Sequence, residues 1–188
     1  MATDEVRSPI VNKETESFRG SRNNSLKLEN QPMEEDESDW TMYHEAGHCV
    51  MAVVCGARVA KATISPEEDG FYGIVEIHWP RGRSAADQWA VALAGPVSEM
   101  IYRGEPYHPG LVPEWAHDWK QAWLLCRSQT QSDLHCMKIL ESTVAKLYRT
   151  FSSDPWWAAI AAVRDLLDAH EEIDHDSIDY EVRNWIQG

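Results

Sequence analysis

The sequence predicts an α+β fold, mostly α-helical, in which one long helix is followed by a small sheet or hairpin and then by a helical bundle. Three observations carry this. Helix-length segments with clear start and stop residues fill most of residues 39–188. One pair of short β-rich runs, ARVAKATIS at 57–65 and FYGIVEIHWP at 71–80, stands near the beginning, with PEEDG as a turn between them. The hydrophobic content of 43% with nine Trp suits a packed domain, and 188 residues suffice for one such domain plus an extra segment.

The elements follow in order. DWTMYHEAGHCVMAVVCG reads as a helix capped by Asp39 or Thr41, with Gly56 as its stop. The strand pair comes next, and Pro80 ends its second member. Ser84 opens the helix SAADQWAVALAGPVSEMIYRG, inside which Pro96 predicts a kink or break. EPYHPGLVPEW is a loop. Helices are expected at 117–128 and 132–151, and a third begins with Asp154 as N-cap and Pro155 at its first position. HDSIDYEVRNWI closes the chain as a short helix. Trp115, Trp119 and Trp123 recur at intervals of four, the stripe of a core or interface face. The acidic residues Asp165, Asp168, Glu171, Glu172, Asp174, Asp176 and Asp179 read as a solvated face.

Residues 1–38 differ in texture. They hold no Trp or Tyr, one Phe, and five basic against nine acidic side chains, and the acidic run EEDESD begins at 34. Such a segment buries too little apolar surface to offset its ordering entropy. The expected division is therefore a disordered acidic tail, 1–38, and a folded domain, 39–188.

Charge and cysteines exclude several classes. The net charge is −14, from 17 basic and 31 acidic residues, with no Lys/Arg cluster. Nucleic acid and anionic membrane surfaces are disfavoured partners. The four cysteines, Cys49, Cys55, Cys126 and Cys136, form no CxxC pair and read as buried free thiols. No apolar h-region opens the chain, and no apolar run is long enough to span a bilayer. A cytoplasmic protein without membrane insertion is expected.

The chemistry concentrates in His44-Glu45-Ala46-Gly47-His48. Residues four apart share one helix face, so His44 and His48 can aim two imidazole nitrogens at one Zn²⁺. Glu45 can reach a metal-bound water, take its proton as the water attacks a carbonyl, and pass it to the leaving amine. The small pair Ala46–Gly47 allows close packing. A catalytic zinc takes three protein ligands and keeps one open position. Candidates for the third are Glu76, His78, Glu99, His108, His117 and Asp118; spacing favours Glu99 and Asp118 without choosing between them. No third His follows close by as in HExxHxxGxxH.

YHEAGH resembles the peptidase domain of the FtsH family, membrane-bound ATP-dependent zinc proteases. VAKATISP with GFYGIVEIHWP, AVALAGPVSEMIYRG, HDWKQAWLLC and LLDAHEEIDHDSI extend the similarity over about residues 39–180. HEAGH and Leu-Ala-Gly are its sharp points. The resemblance implies Zn²⁺ held by His44, His48 and Asp118, with His117 where the family has Asn, and Glu45 as catalytic base. It implies a zinc metalloendopeptidase and an FtsH-peptidase-like fold. It also implies an edge strand at 72–79 that pairs with extended substrate, and assembly into rings. No GxxxxGK[ST] P-loop and no transmembrane helix accompany it. The expectation is a peptidase domain standing alone, acting on unfolded or flexible polypeptides, as a homo-oligomer or with a partner ATPase or adaptor. Two alternatives stand beside it: a catalytically weak or inactive peptide-binding scaffold, and a dedicated protease for one regulatory protein.

Overall fold

The computed structural model describes residues 7–11, 37–67, 70–170 and 172–187. Among them the chain forms three strands, β1 (Arg7–Val11), β2 (Arg58–Glu67) and β3 (Gly70–His78). It also forms six α-helices: α1 (Glu37–Val54), α2 (Ala85–Arg103), α3 (Ala116–Arg127), α4 (Asp133–Phe151), α5 (Asp154–Ala169) and α6 (His175–Val182). The fold is mostly helical with a small antiparallel sheet, as the sequence pattern anticipates.

α1 is the central element. It packs against α2, α5, α6 and both long strands, and Ala46, Cys49, Val50 and Ala52 on it are almost wholly inaccessible. Gly47 lets α2 come close: a Cβ there would stand 2.6 Å from the Ala94 carbonyl oxygen and 2.6 Å from Ser98 Cβ. The helix begins two residues before its expected cap. Asp39 is therefore inside it, paired with Arg164 of α5 and accepting from the Tyr102 hydroxyl at 3.3 Å. Gly56, at φ +72°, turns the chain out of α1 in the left-handed region that suits glycine.

The sheet order is β1-β3-β2, with both pairings antiparallel. Val75 and Ile77 of β3 and Val59 and Ala62 of β2 face the core. β3 is thus the central strand. The expectation that 72–79 forms an edge is corrected, because Arg7–Val11 occupies one flank. Those five residues belong to the segment expected to be a disordered tail; its other residues, Glu37 and Ser38 aside, lie outside the described ones.

α2 starts at Ser84, whose hydroxyl accepts from the Asp87 N–H, and stops at Gly104. It runs unbroken through Pro96, buried within it, so of the expected kink or break the break is absent. Proline removes one N–H and crowds the preceding turn, and packing of the buried stretch Val91–Met100 outweighs that cost. The cap of α5 is Ser153, and Asp154 is its first helical residue, so the helix begins one position earlier than expected. α6 is capped by Asp174, whose carboxylate accepts from the Ser177 N–H at 3.0 Å, and the chain ends in a π-helical turn, Arg183–Gln187. Leu140, Leu147 and Phe151 of α4 and Ile160, Val163 and Leu167 of α5 complete the core. Burying side chains of this size contributes roughly 1.5–3 kcal/mol each. A backbone pair between Ala62 and Ile173 anchors the last segment to β2.

Candidate metal centre

α1 delivers His44, Glu45 and His48 into the layer between itself, α2 and α3, where all three are buried. One helical turn separates the histidines, and their rings meet edge to face at 4.8 Å between centroids. Asp118 enters from the first turn of α3, at 0% exposure. Its Oδ2 stands 2.9 Å from His44 Nε2 and 3.5 Å from His48 Nε2. Each of the three residues offers a ligand atom within 4.8 Å of the other two. Of the two carboxylates favoured by spacing, Asp118 is the one aimed between the histidines.

Glu99 also joins the site, but behind it. His44 Nδ1 donates to Glu99 Oε2 at 2.9 Å. The same oxygen accepts from Trp115 Nε1 at 2.6 Å, and Glu99 Oε1 accepts from Arg103 at 2.9 Å. On the other ring, His48 Nδ1 donates to the Val91 carbonyl at 2.8 Å. A carbonyl can only accept, so the Nδ1 proton of His48 is fixed and its Nε2 faces Asp118. Both histidines therefore carry the outer partner that orients a metal-binding imidazole.

These residues fit a divalent cation. His48 Nε2, Asp118 Oδ1 and Glu45 Oε2 are buried with no hydrogen-bond partner among the described residues. Buried polar atoms of this kind ordinarily find one. Glu45, Glu99 and Asp118 place three carboxyl groups in one buried region with Arg103 as a neighbouring cation. Uncompensated charge there would be costly. A tetrahedral ion bound at about 2.0–2.2 Å holds its ligand atoms about 3.3 Å apart, and the two separations from Asp118 bracket that spacing.

The electrostatics agree. Burial alone would lower the His44 pKa, yet hydrogen bonds to Asp118 and Glu99 outweigh it and hold it well above the usual imidazole value. Burial would raise Asp118, and the two histidines override it and hold it well below the usual carboxylate range. Glu99 is likewise lowered: His44, Trp115 and Arg103 together overcome its desolvation. Glu45 is raised, chiefly by burial. A positive charge at the His44–Asp118 position is what the surroundings favour.

Two glycines make the room. A Cβ on Gly95 would stand 2.3 Å from His48 Nε2 and 2.7 Å from His44 Nε2. A Cβ on Gly73 would stand 2.2 Å from Glu45 Oε1. Val91, Gly95 and Glu99 lie four apart on one face of α2, so a single helix face backs both histidines. A cavity of about 460 Å³ opens between β3, α2 and α3, with Ile77, Val91, His117 and Leu125 on its wall.

The remaining candidates are elsewhere. Glu76 and His78 contact each other at 3.1 Å on β3. His108 accepts from the Gly110 N–H and packs on Trp119. His117 meets Gln121 at 2.6 Å. Sequence reasoning missed Arg103, Trp115, Gly73 and the Val91 carbonyl as parts of the site. Arg103 carried a readable signal, its i,i+4 spacing from Glu99; a main-chain carbonyl carries none.

No protein-family model matches this chain, and no curated protein matches it. No helix among the described residues is long and apolar enough to cross a membrane.

Proposed function

We propose that the protein is a zinc metallopeptidase that hydrolyses peptide bonds in unfolded or flexible polypeptides. The observation that carries this reading is Glu45 placed beside the His44–His48–Asp118 cluster, its Oε2 buried without a partner. A module that only bound metal would need the ligands and not a carboxylate beside them. The similarity of HEAGH, Leu-Ala-Gly and the Asp118 helix to the FtsH peptidase domain points the same way.

His44, His48 and Asp118 would hold the ion, as two imidazole nitrogens and one carboxylate favour zinc and leave a fourth position open. Bound Zn²⁺ would supply a Lewis acid that polarises the scissile carbonyl and brings the pKa of a coordinated water from 15.7 to about 7. The chain's residues do the rest. Glu99 and the Val91 carbonyl fix which nitrogen of each histidine faces inward. Glu45 Oε2 accepts the proton of the attacking water and returns it to the leaving amine nitrogen. The closed packing of α1 on α2 keeps bulk water from the far side of the ligands, which strengthens each of these interactions.

Zinc per chain and hydrolysis of an unfolded protein substrate, compared between the parent and Glu45→Gln, test the reading. Stoichiometric zinc in both, with hydrolysis in the parent alone, is expected. Stoichiometric zinc with no hydrolysis in either would leave a binding module. Zinc-free protein under all conditions would remove the metal centre itself.

A further inference from the structure

We propose that a groove between residues 106–109 and α4 binds short apolar peptides with both ends free, the ammonium at Glu141 and the carboxylate at Arg149. For where such peptides arise the proposal rests on the peptidase reading, whose products they would be. The binding itself is independent of that reading.

The groove has a volume of about 450 Å³, within the range of small-ligand sites. Most of its wall is apolar or aromatic. Met100, the residue after Glu99 on α2, lines it and is itself buried. Tyr107 and Pro109 stand on one side, Val144 and Tyr148 on the other. Glu141, Val144, Ala145, Tyr148 and Arg149 follow the i, i+3, i+4, i+7, i+8 pattern, so one face of α4 supplies that side. No wall residue belongs to the His44–His48–Asp118 cluster, so the groove is a second site.

The side opposite α4 is held in place. Pro106 and Pro109 fix φ at two positions. His108 Nδ1 accepts from the Gly110 N–H at 3.1 Å, and its ring packs on Trp119 at 4.8 Å between centroids. The groove is thus formed before a ligand arrives, which lowers the ordering cost of binding. Tyr107 is 54% exposed, an aromatic surface left open to a ligand.

Charge chooses the occupant. Because His108 Nδ1 accepts, Nε2 is its donor, and that nitrogen stands 3.9 Å from Glu141 Oε1, beyond hydrogen-bond reach. Arg149 makes no ion pair among the described residues. The groove therefore carries one negative and one positive group, each with donors or acceptors to spare. Eight residues separate them, about 12 Å along the helix axis. An extended tripeptide spans about 10 Å, and the two long side chains reach across the difference. An internal stretch of polypeptide has no main-chain charge for either group. A ligand with one charged end, such as a fatty acid, leaves one of them unused. The pair thus selects peptides of about three residues with free ends, and the apolar wall takes their side chains.

Titration calorimetry on the full chain tests this, in a Glu45→Gln background so that peptide stays intact. The probe is the tripeptide Leu-Phe-Leu, compared with its N-acetyl, C-amide and doubly blocked forms. The free tripeptide should bind one-to-one. Each blocked end should weaken binding about three- to fivefold, the upper part of what one exposed ion pair contributes. Glu141→Gln should lose the effect of acetylation and keep that of amidation, and Arg149→Gln should do the reverse. Both side chains are exposed on α4, so neither change should move Tm. No binding, equal affinity for all four forms, or a ranking unchanged in both variants overturns the proposal. So does binding that a chelator abolishes and the two variants leave alone, which would place the peptide at the metal centre. Hydrolysis of an unfolded protein is read separately on the parent carrying Glu45. Its absence with the ranking intact sinks the peptidase reading and leaves the groove standing; its presence without the ranking does the opposite.

Discussion

His44 Nδ1 donates to Glu99 Oε2 at 2.9 Å, and this one bond separates the two carboxylates that spacing had left equal. Glu99 takes the outer nitrogen of His44; Asp118 faces the inner one at 2.9 Å. Their loss should differ accordingly. Asp118→Ala is expected to abolish stoichiometric metal binding. Glu99→Gln should keep a site weakened by about 10–100-fold, the usual effect of removing an outer partner. Competition with a chelating dye measures both. Undiminished metal in Asp118→Ala, with loss in Glu99→Gln, would reverse the assignment.

The two close-approach glycines predict opposite phenotypes. Gly95→Ala drives a methyl into both histidine rings, so metal affinity should fall by more than tenfold. Gly73→Ala presses on Glu45 and leaves the ligands alone, so zinc should remain while hydrolysis falls by about 10²-fold or more, within the usual contribution of a general base. Metal content and turnover measured side by side on the two proteins decide this. Equal behaviour of the pair would refute it.

On the proposed reading zinc removal should cost stability, because the folded cluster would hold the ion and the unfolded chain has no such cluster. With free zinc about 1,000-fold above its dissociation constant, binding stabilises by about 4 kcal/mol. At roughly 2–4 °C per kcal/mol for a domain of this size, a chelator should lower Tm by roughly 8–16 °C. Calorimetry with and without chelator reads the shift; Asp118→Ala should show none.

The thiols give a prediction away from the site. All four are free and buried. Desolvation, with a small push from Asp87, brings Cys55 up to about 11. Desolvation and the Cys126 thiol bring Cys136 up to about 12. Burial closes all four to the reagent, so no thiol should react with Ellman's reagent in the native state, and all four should react in guanidinium. The sign for stability follows. An unfolded thiol ionises near 9 while folded Cys55 keeps its proton to about 11, so stability holds below pH 9 and declines as pH rises through that window. Urea midpoints between pH 8 and 10.5 would show a flat profile if these thiols were exposed.

The helices were legible because their start and stop residues are local: Ser84 and Gly104 bracket α2 as their chemistry dictates. His44, Glu45 and His48 were legible because one helix sets their spacing. Asp118 needed a resemblance to single it out, since 70 residues separate it from His48 and only tertiary packing joins them. Where local rules failed, packing had overridden them. Pro96 stays inside α2 because the surrounding stretch is buried, and Asp39 is drawn from capping duty to Arg164. β1 was unreadable because five residues in a polar context carry no strand pattern strong enough to announce a distant pairing.

The back of the metal centre is set by a single register. Val91, Gly95 and Glu99 serve His48, both rings and His44 in turn, each one step of four residues along α2. Each residue advances a helix by about 100°. Deleting or inserting one residue between Val91 and Glu99 would therefore swing one of these groups a quarter-turn or more from its ring. Substitutions can be absorbed here one at a time; a change of length cannot. The nine residues from Val91 to Glu99 thus form a segment whose length is as strictly specified as the identity of the histidines it supports.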